Sequence, residues 1–100
     1  GDDGHTASLF PGDPLIENRE GLVAAVYAGR AAQWRVTMLP GLLLAARNLA
    51  VLVCGESKAA PVREAFHGVY NPIQCPVQIL TREGRSAHWF LDSAAAAMLE

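Results

Sequence analysis

The chain has 100 residues, of which 51% are hydrophobic and 18% charged, and its formal net charge is -2. This length suits one small domain, and the slightly acidic balance argues against a nucleic-acid partner, which would favour a clustered basic face. The longest apolar run, residues 49–54, is far shorter than the roughly 20 residues of a membrane-spanning helix, so a membrane partner is not expected.

The first half of the chain predicts two strands and one helix after an opening loop. Residues 6–10 are predicted to form one helical turn that ends at a Pro-Gly pair, and residues 12–21 to form a surface connection. Apolar and β-branched stretches predict short strands at residues 21–27 and 34–39. A proline then suits the first turn of a helix over residues 40–47, because its missing N–H would have no acceptor there.

The next stretch predicts a buried strand, a turn and a helix. The strand covers residues 49–54, and Ser57 is a plausible N-cap for a helix over residues 58–67 that Gly68 ends. Residues 69–80 contain two prolines and are predicted as more loop than element.

The last stretch predicts a turn, a strand and a helix. Residues 81–85 are polar turn material, residues 87–91 are predicted as a strand, and Asp92 as the N-cap of an alanine-rich helix over residues 93–99. Strands that alternate with helices imply an α/β fold with a mostly parallel sheet and helices on both faces.

Two loops carry candidate chemistry. The first twelve residues place a histidine, His5, after two carboxylates and between glycines, so that the imidazole can face a cleft. The second loop, residues 55–58, follows a predicted strand and opens a helix. Its free amides and the Lys58 ammonium would favour a phosphate group. In parallel sheets ligands bind beyond the carboxyl ends of the strands, where this loop lies.

The opening loop resembles the signature Gly-x-Asp-Gly-His-Thr-Ala-Ser-Leu-Phe-Pro-Gly of the 6-phosphogluconolactonase family, which is related to the glucosamine-6-phosphate isomerases. Further landmarks of the family follow in the same order at residues 35–37, 47–59 and 89–96. Family members are more than twice this length. The resemblance therefore implies that residues 1–100 are the C-terminal part of a single lactonase domain. The N-terminal part, which in the family supplies a phosphate loop and an arginine, would be its partner.

The resemblance implies a NagB/RpiA-like three-layer fold in the cytoplasm, and hydrolysis of 6-phospho-D-glucono-1,5-lactone to 6-phospho-D-gluconate in the oxidative pentose phosphate pathway. His5 would activate water as a general base, with no cofactor and no metal. Asp3 would orient the ring or bind a sugar hydroxyl, or would only hold an Asx-type turn. Lys58 and Ser57 would bind the substrate phosphate, and Arg35 would contact it or form a structural ion pair.

Two other functions remain open at this point. A glucosamine-6-phosphate isomerase or deaminase would use the same histidine, but those enzymes continue with Ile-Ala-Phe-Asn-Glu-Pro, whereas this chain continues with Thr-Ala-Ser-Leu-Phe-Pro. The third alternative is a non-catalytic module that binds a sugar phosphate or packs against a partner chain. In the lactonase interpretation, the 100-residue chain alone is expected to be inactive.

Several other polar residues are expected to have structural roles. Asp2 occupies a position that varies in the family and is expected to be solvated. Cys54 and Cys75 are expected to be reduced, buried thiols. His67 and His88 show no metal-ligand spacing with them.

Overall fold

The computed structural model describes residues 1–84 and 87–99. The strands are β1 (Val23–Ala28), β2 (Gln33–Met38), β3 (Leu49–Val53) and β4 (Ala87–Leu91), and the helices are α1 (Pro40–Ala45), α2 (Ala59–His67) and α3 (Gln78–Arg82). One 3-10 turn, Pro14–Glu17, precedes β1, and another, Glu56–Lys58, lies between β3 and α2.

Strands β3 and β4 form a parallel pair. Leu49 lies opposite Ala87 and Val53 opposite Leu91, and the long connection between the strands contains α2 and α3. Parallel neighbours need such a crossover, because a tight turn can join only antiparallel strands. The pair confirms the α/β class. Because the two strands run in the same direction, the loops that follow β3 and β4 lie at the same edge of the sheet.

Strands β1 and β2 pair with each other in antiparallel register and form a separate two-stranded sheet. The sequence analysis predicted both strands but not this pairing, although the connection between them is too short for a parallel crossover and favours a hairpin. The hairpin carries Arg35 on β2, directly opposite Val26 on β1.

The core lies between α1, α3 and the first loops. Six side chains form its buried centre, and the inward residues Val51 of β3 and Trp89 of β4 pack against it. The six are Leu9, Ile16, Leu39, Leu43, Ile79 and Leu80. Ile16 lies in the Pro14–Glu17 turn, so the predicted surface connection at residues 12–21 contributes a fully buried anchor.

The stretch predicted as loop at residues 69–80 contains the start of α3, and this prediction was wrong from Gln78 onward. Gln78 is fully buried. Its amide nitrogen donates to the carbonyls of Glu64 and Val69, and its oxygen accepts from the Asn71 amide at 2.6 Å. One buried side chain thus satisfies backbone groups that an irregular segment would leave unpaired.

Four other local predictions need correction. Residues 6–10 form a turn with a single bridge between Thr6 and Leu9 instead of a helical turn. Residues 93–98 are turns and not a helix. Only one backbone hydrogen bond here, from the Ala96 amide to the Asp92 carbonyl, spans four residues as in an α-helix. In the predicted turn at residues 81–85, the first two residues belong to α3 and the last lies outside the described residues. Cys54 is free but exposed, whereas Cys75 is free and buried.

The outward faces of both sheets are apolar. Trp34 and Val36 on β2 are 71% and 75% exposed, and Leu52 and Phe90 on β3 and β4 are 74% and 59% exposed. Sheets in α/β folds are normally covered on both faces. In the part of the chain that the structure describes, no helix has the length and apolar character needed to cross a membrane.

Candidate active site

The loop that carries His5 is fixed by Gly4. Gly4 has a φ of +86°, and a Cβ there would lie 2.9 Å from Sγ of Cys75. Its carbonyl also accepts a hydrogen bond of 3.0 Å from the Val77 amide. Only glycine suits both the left-handed backbone and the close approach. The loop is therefore held against the segment that leads into α3.

The imidazole of His5 is oriented by Asp3. Nδ1 of His5 lies 2.6 Å from Oδ1 of Asp3, and the same oxygen accepts the backbone amide of His5 at 3.0 Å. One carboxylate thus forms the Asx-type turn and also holds the ring, so its geometry is compatible with two of the three roles considered for Asp3. The ring stacks obliquely on Phe10, with centroids 4.8 Å apart, and faces Gly1, where any Cβ would overlap it.

This contact determines which ring nitrogen can act as a base. A carboxylate only accepts hydrogen bonds, so Nδ1 of a neutral His5 must carry the proton and Nε2 keeps its lone pair. Burial opposes ionisation of Asp3, but the hydrogen bonds from the amide and the ring of His5 outweigh it and lower the pKa of Asp3. Asp3 is therefore a carboxylate at neutral pH.

A buried threonine anchors the other end of the loop. Oγ1 of Thr37 on β2 accepts the backbone amide of Ser8 at 3.0 Å and donates to the carbonyl of Met38 at 2.9 Å. Thr37 is only 2% exposed. The hairpin thus holds the histidine loop through the last residue of the Arg-Val-Thr landmark, a role that the sequence analysis did not assign.

We expect Thr37→Val to destabilise the full-length protein by about 1–3 kcal/mol, because the buried amide of Ser8 would lose its acceptor while the volume stays nearly constant. Chemical unfolding monitored by circular dichroism measures the change. Thr37→Ser keeps the hydroxyl and is the matched control. Equal losses for the two variants would show that packing, and not the hydrogen bond, holds the loop.

The second loop is joined to the end of β4 by Asp92. Gly55 begins the turn with a φ of +103°, and its amide donates to both carboxylate oxygens of Asp92 at 3.1 Å. Oδ1 of Asp92 also accepts the Ala95 amide at 2.8 Å. These amides, Ala95 first and then Gly55, lower the pKa of Asp92. The predicted capping role is present, although the residues that follow do not form a helix.

Lys58 makes an ion pair within the candidate site. Its Nζ donates to Oδ1 of Asp2, and Oγ of Ser57 lies 3.4 Å from the same oxygen. Asp2 is therefore paired, and the prediction of a merely solvated side chain was wrong. Ser57 does not cap α2, because Lys58 is the N-cap residue and makes no side-chain capping bond.

Four of the five predicted site residues line one cleft of about 650 Å³: His5, Asp3, Lys58 and Arg35. Ser57 adjoins it through Asp2, which also lines it. A smaller cavity of about 280 Å³, between β3 and α2, shares His5 and Lys58 with the cleft. Volumes in this range are typical of small-molecule sites.

Besides Arg35, the hairpin places a second arginine at the cleft that the sequence analysis did not predict. Arg30 lies in the turn between β1 and β2 and lines the same cleft as Arg35. Arg35 itself can donate to the Gln33 side chain when the Gln33 amide is placed with its oxygen toward the guanidinium. No signal in the sequence pointed to Arg30, because it faces the cleft only once the hairpin has formed.

Among residues 1–84 and 87–99, no group of three or more histidine, cysteine or acidic side chains is placed to hold a metal ion. His67, the last residue of α2, instead lies with Nε2 3.1 Å from the Leu99 carbonyl.

Comparison with known proteins identifies the family. Residues 1–89 match the model of the glucosamine-6-phosphate isomerases/6-phosphogluconolactonase family. The chain belongs to this family. The fold class predicted from the sequence agrees with this membership, because solved 6-phosphogluconolactonases share the NagB/RpiA-like fold.

Individual members of the glucosamine-6-phosphate isomerases/6-phosphogluconolactonase family are similar over nearly the whole chain. The human 6-phosphogluconolactonase is 38% identical over 99% of this chain, and that of Synechocystis is 35% identical over 99%. The solved 6-phosphogluconolactonase of Trypanosoma brucei superposes with a TM-score of 0.83 at 28% identity and covers all of this chain. The chain spans only 38–40% of the length of these three proteins.

Proposed function

We propose that this chain carries the catalytic histidine and part of the phosphate site of a 6-phosphogluconolactonase, which hydrolyses 6-phospho-D-glucono-1,5-lactone to 6-phospho-D-gluconate. The observation that carries the proposal is the Asp3–His5 pair, which lines one cleft together with Lys58. The names of the similar proteins and the continuation of the motif after His5 support a lactonase over an isomerase.

In the proposed mechanism His5 acts as a general base. Its Nε2, left unprotonated by the contact of Nδ1 with Asp3, takes a proton from a water molecule that attacks the lactone carbonyl. The tetrahedral intermediate then collapses, and the imidazolium returns the proton to the ring oxygen as the ester bond breaks. The Asp3 carboxylate stabilises the imidazolium between these steps, because opposite charges at this distance attract strongly.

The phosphate of the substrate would bind at the cationic side of the cleft. Lys58 lines the cleft together with Arg30 and Arg35 of the hairpin. A phosphate has three acceptor oxygens, so it can use several such donors at once. Ser57 would contribute its hydroxyl next to Lys58. The part of the protein that precedes this chain in its relatives would complete the site, and the 100-residue chain alone is expected to lack turnover.

The test of the function is a paired assay on the full-length protein. Formation of 6-phosphogluconate from its lactone, after subtraction of spontaneous hydrolysis, should exceed the uncatalysed rate by about a millionfold or more, the usual lower range for enzymes. Ammonia release from glucosamine 6-phosphate should stay at background. The reverse result would establish the isomerase alternative, and binding of 6-phosphogluconate without turnover of either substrate would indicate a non-catalytic module.

A further inference from the structure

Lys58 already has an anionic partner in the structure, and that partner is a side chain of the histidine loop. Oδ1 of Asp2 accepts from the Lys58 ammonium and lies within 3.4 Å of the Ser57 hydroxyl. These are the two groups of the second loop to which the proposed function assigns the substrate phosphate. The Asp2 carboxylate therefore occupies the place where one phosphate oxygen would bind.

The other acidic groups near the cleft cannot take this role. Asp3 uses its Oδ1 on His5, and Glu56, although on the same turn as Lys58, makes no ion pair with it among the described residues. Asp2 is 60% exposed and free to turn outward, whereas Lys58 is half as exposed, at 31%. The aspartate is thus the more exposed member of the pair and can turn toward solvent without uncovering buried surface.

The charge on Asp2 is stabilised by this contact. The hydrogen bond from Lys58 is the largest cause that lowers the pKa of Asp2, followed by the charge of Lys58. The side chain is therefore a full anion at neutral pH. An exposed ion pair of this kind is weak, so a ligand with two negative charges and several acceptor oxygens can displace the carboxylate.

We propose that Asp2 is an internal competitor for the phosphate site: its carboxylate holds Lys58 in the empty enzyme, must leave when a phosphate binds, and thereby limits the affinity of the site. The proposal rests on the phosphate-binding role proposed for Lys58. Because the competitor belongs to the same chain, it is always present at a high effective concentration and cannot be diluted away.

The decisive measurement is the dissociation constant of inorganic phosphate, obtained by isothermal titration calorimetry on the full-length protein. Asp2→Asn removes the competing charge and should tighten phosphate binding by about threefold to tenfold at low salt. A contact that was merely structural would weaken binding when lost, so the direction of the change separates the two roles. In the lactonase assay the same variant should lower KM for the phosphorylated lactone.

Two control variants separate charge from position. Asp2→Glu keeps a carboxylate and should leave phosphate binding within about twofold of the unmodified protein. Glu17→Gln removes one negative charge from an exposed residue outside the cleft and should have no effect. Weaker phosphate binding in Asp2→Asn would overturn the proposal, because Asp2 would then position Lys58 for the ligand.

Lys58→Ala provides the second test. Without the lysine there is nothing to compete for, so Asp2→Asn should tighten phosphate binding by less than about twofold in that background. An equal gain in both backgrounds would refute competition and leave only general repulsion. If phosphate binding behaves as proposed but no lactone is hydrolysed, the inference on Asp2 stands and the proposed function fails. If the lactone is hydrolysed but Asp2→Asn leaves phosphate binding unchanged, the proposed function stands and the inference on Asp2 fails.

Discussion

His5→Ala should lower kcat for the phosphorylated lactone by about two to four orders of magnitude in the full-length protein, the usual effect of losing a positioned general base. KM should change little, because the cations of the cleft, and not the imidazole, would bind the phosphate. The rate of 6-phosphogluconate formation, corrected for spontaneous lactone hydrolysis, measures the loss. His88→Ala, at an exposed position on β4 outside the cleft, is the matched control.

Asp3→Asn makes the test of His5 sharper. An asparagine can retain the turn but can also donate its amide N–H to Nδ1, which would place the imidazole proton on Nε2 and remove the base. A fall in kcat that approaches that of His5→Ala is therefore expected, with the fold intact by circular dichroism. More than a tenth of the original kcat in His5→Ala would remove His5 from the mechanism.

The local elements were predictable where a short-range signal specified them. Pro40 marks the first residue of α1, Gly68 ends α2, and the apolar run at residues 49–54 has the length of a strand. The prediction that this strand is buried was wrong, because every second residue of β3 is exposed. These signals act within one turn or one strand, so they are visible in the chain itself. The pairing of β3 with β4 depends on contacts between residues distant in the chain. The hairpin of β1 with β2 is local, and its short connection is a signal that the sequence analysis did not use.

Two elements show how tertiary contacts override local preference. The alanine-rich residues after Asp92 favour a helix intrinsically, yet they form turns, and the carbonyls of Met98 and Leu99 lie within hydrogen-bond distance of Arg63 and His67 of α2. Helix α3 is the opposite case: the prolines near its start predicted a loop, but the structure has a helix. The buried amide of Gln78 pairs with three backbone groups and stabilises that short helix from outside.

The candidate site was predictable in its residue types and not in its connections. The motif indicated His5, Asp3 and Lys58, and the structure brings these three to one cleft. The pairing of Asp2 with Lys58 joins residues 56 positions apart, and no pattern in the sequence encodes it. The roles of the site residues remain predictions, which the substitutions at His5 and Lys58 test separately.

Lys58→Ala should raise KM for the phosphorylated lactone by about tenfold to a hundredfold, the effect of losing a hydrogen bond to a charged group, with a smaller loss in kcat. Lys58→Arg keeps the positive charge and should recover part of the affinity.

The control reaction for Lys58 uses glucono-1,5-lactone, which lacks the phosphate. A cation that binds only the phosphate cannot affect this substrate, so kcat/KM for glucono-1,5-lactone should be nearly the same in Lys58→Ala and in the unmodified protein. Arg47→Ala, which removes an equivalent charge from an exposed residue outside the cleft, should alter neither reaction. Equal impairment with both lactones would assign Lys58 a structural role, in which its contact with Asp2 holds the two loops together and the hairpin arginines bind the phosphate instead.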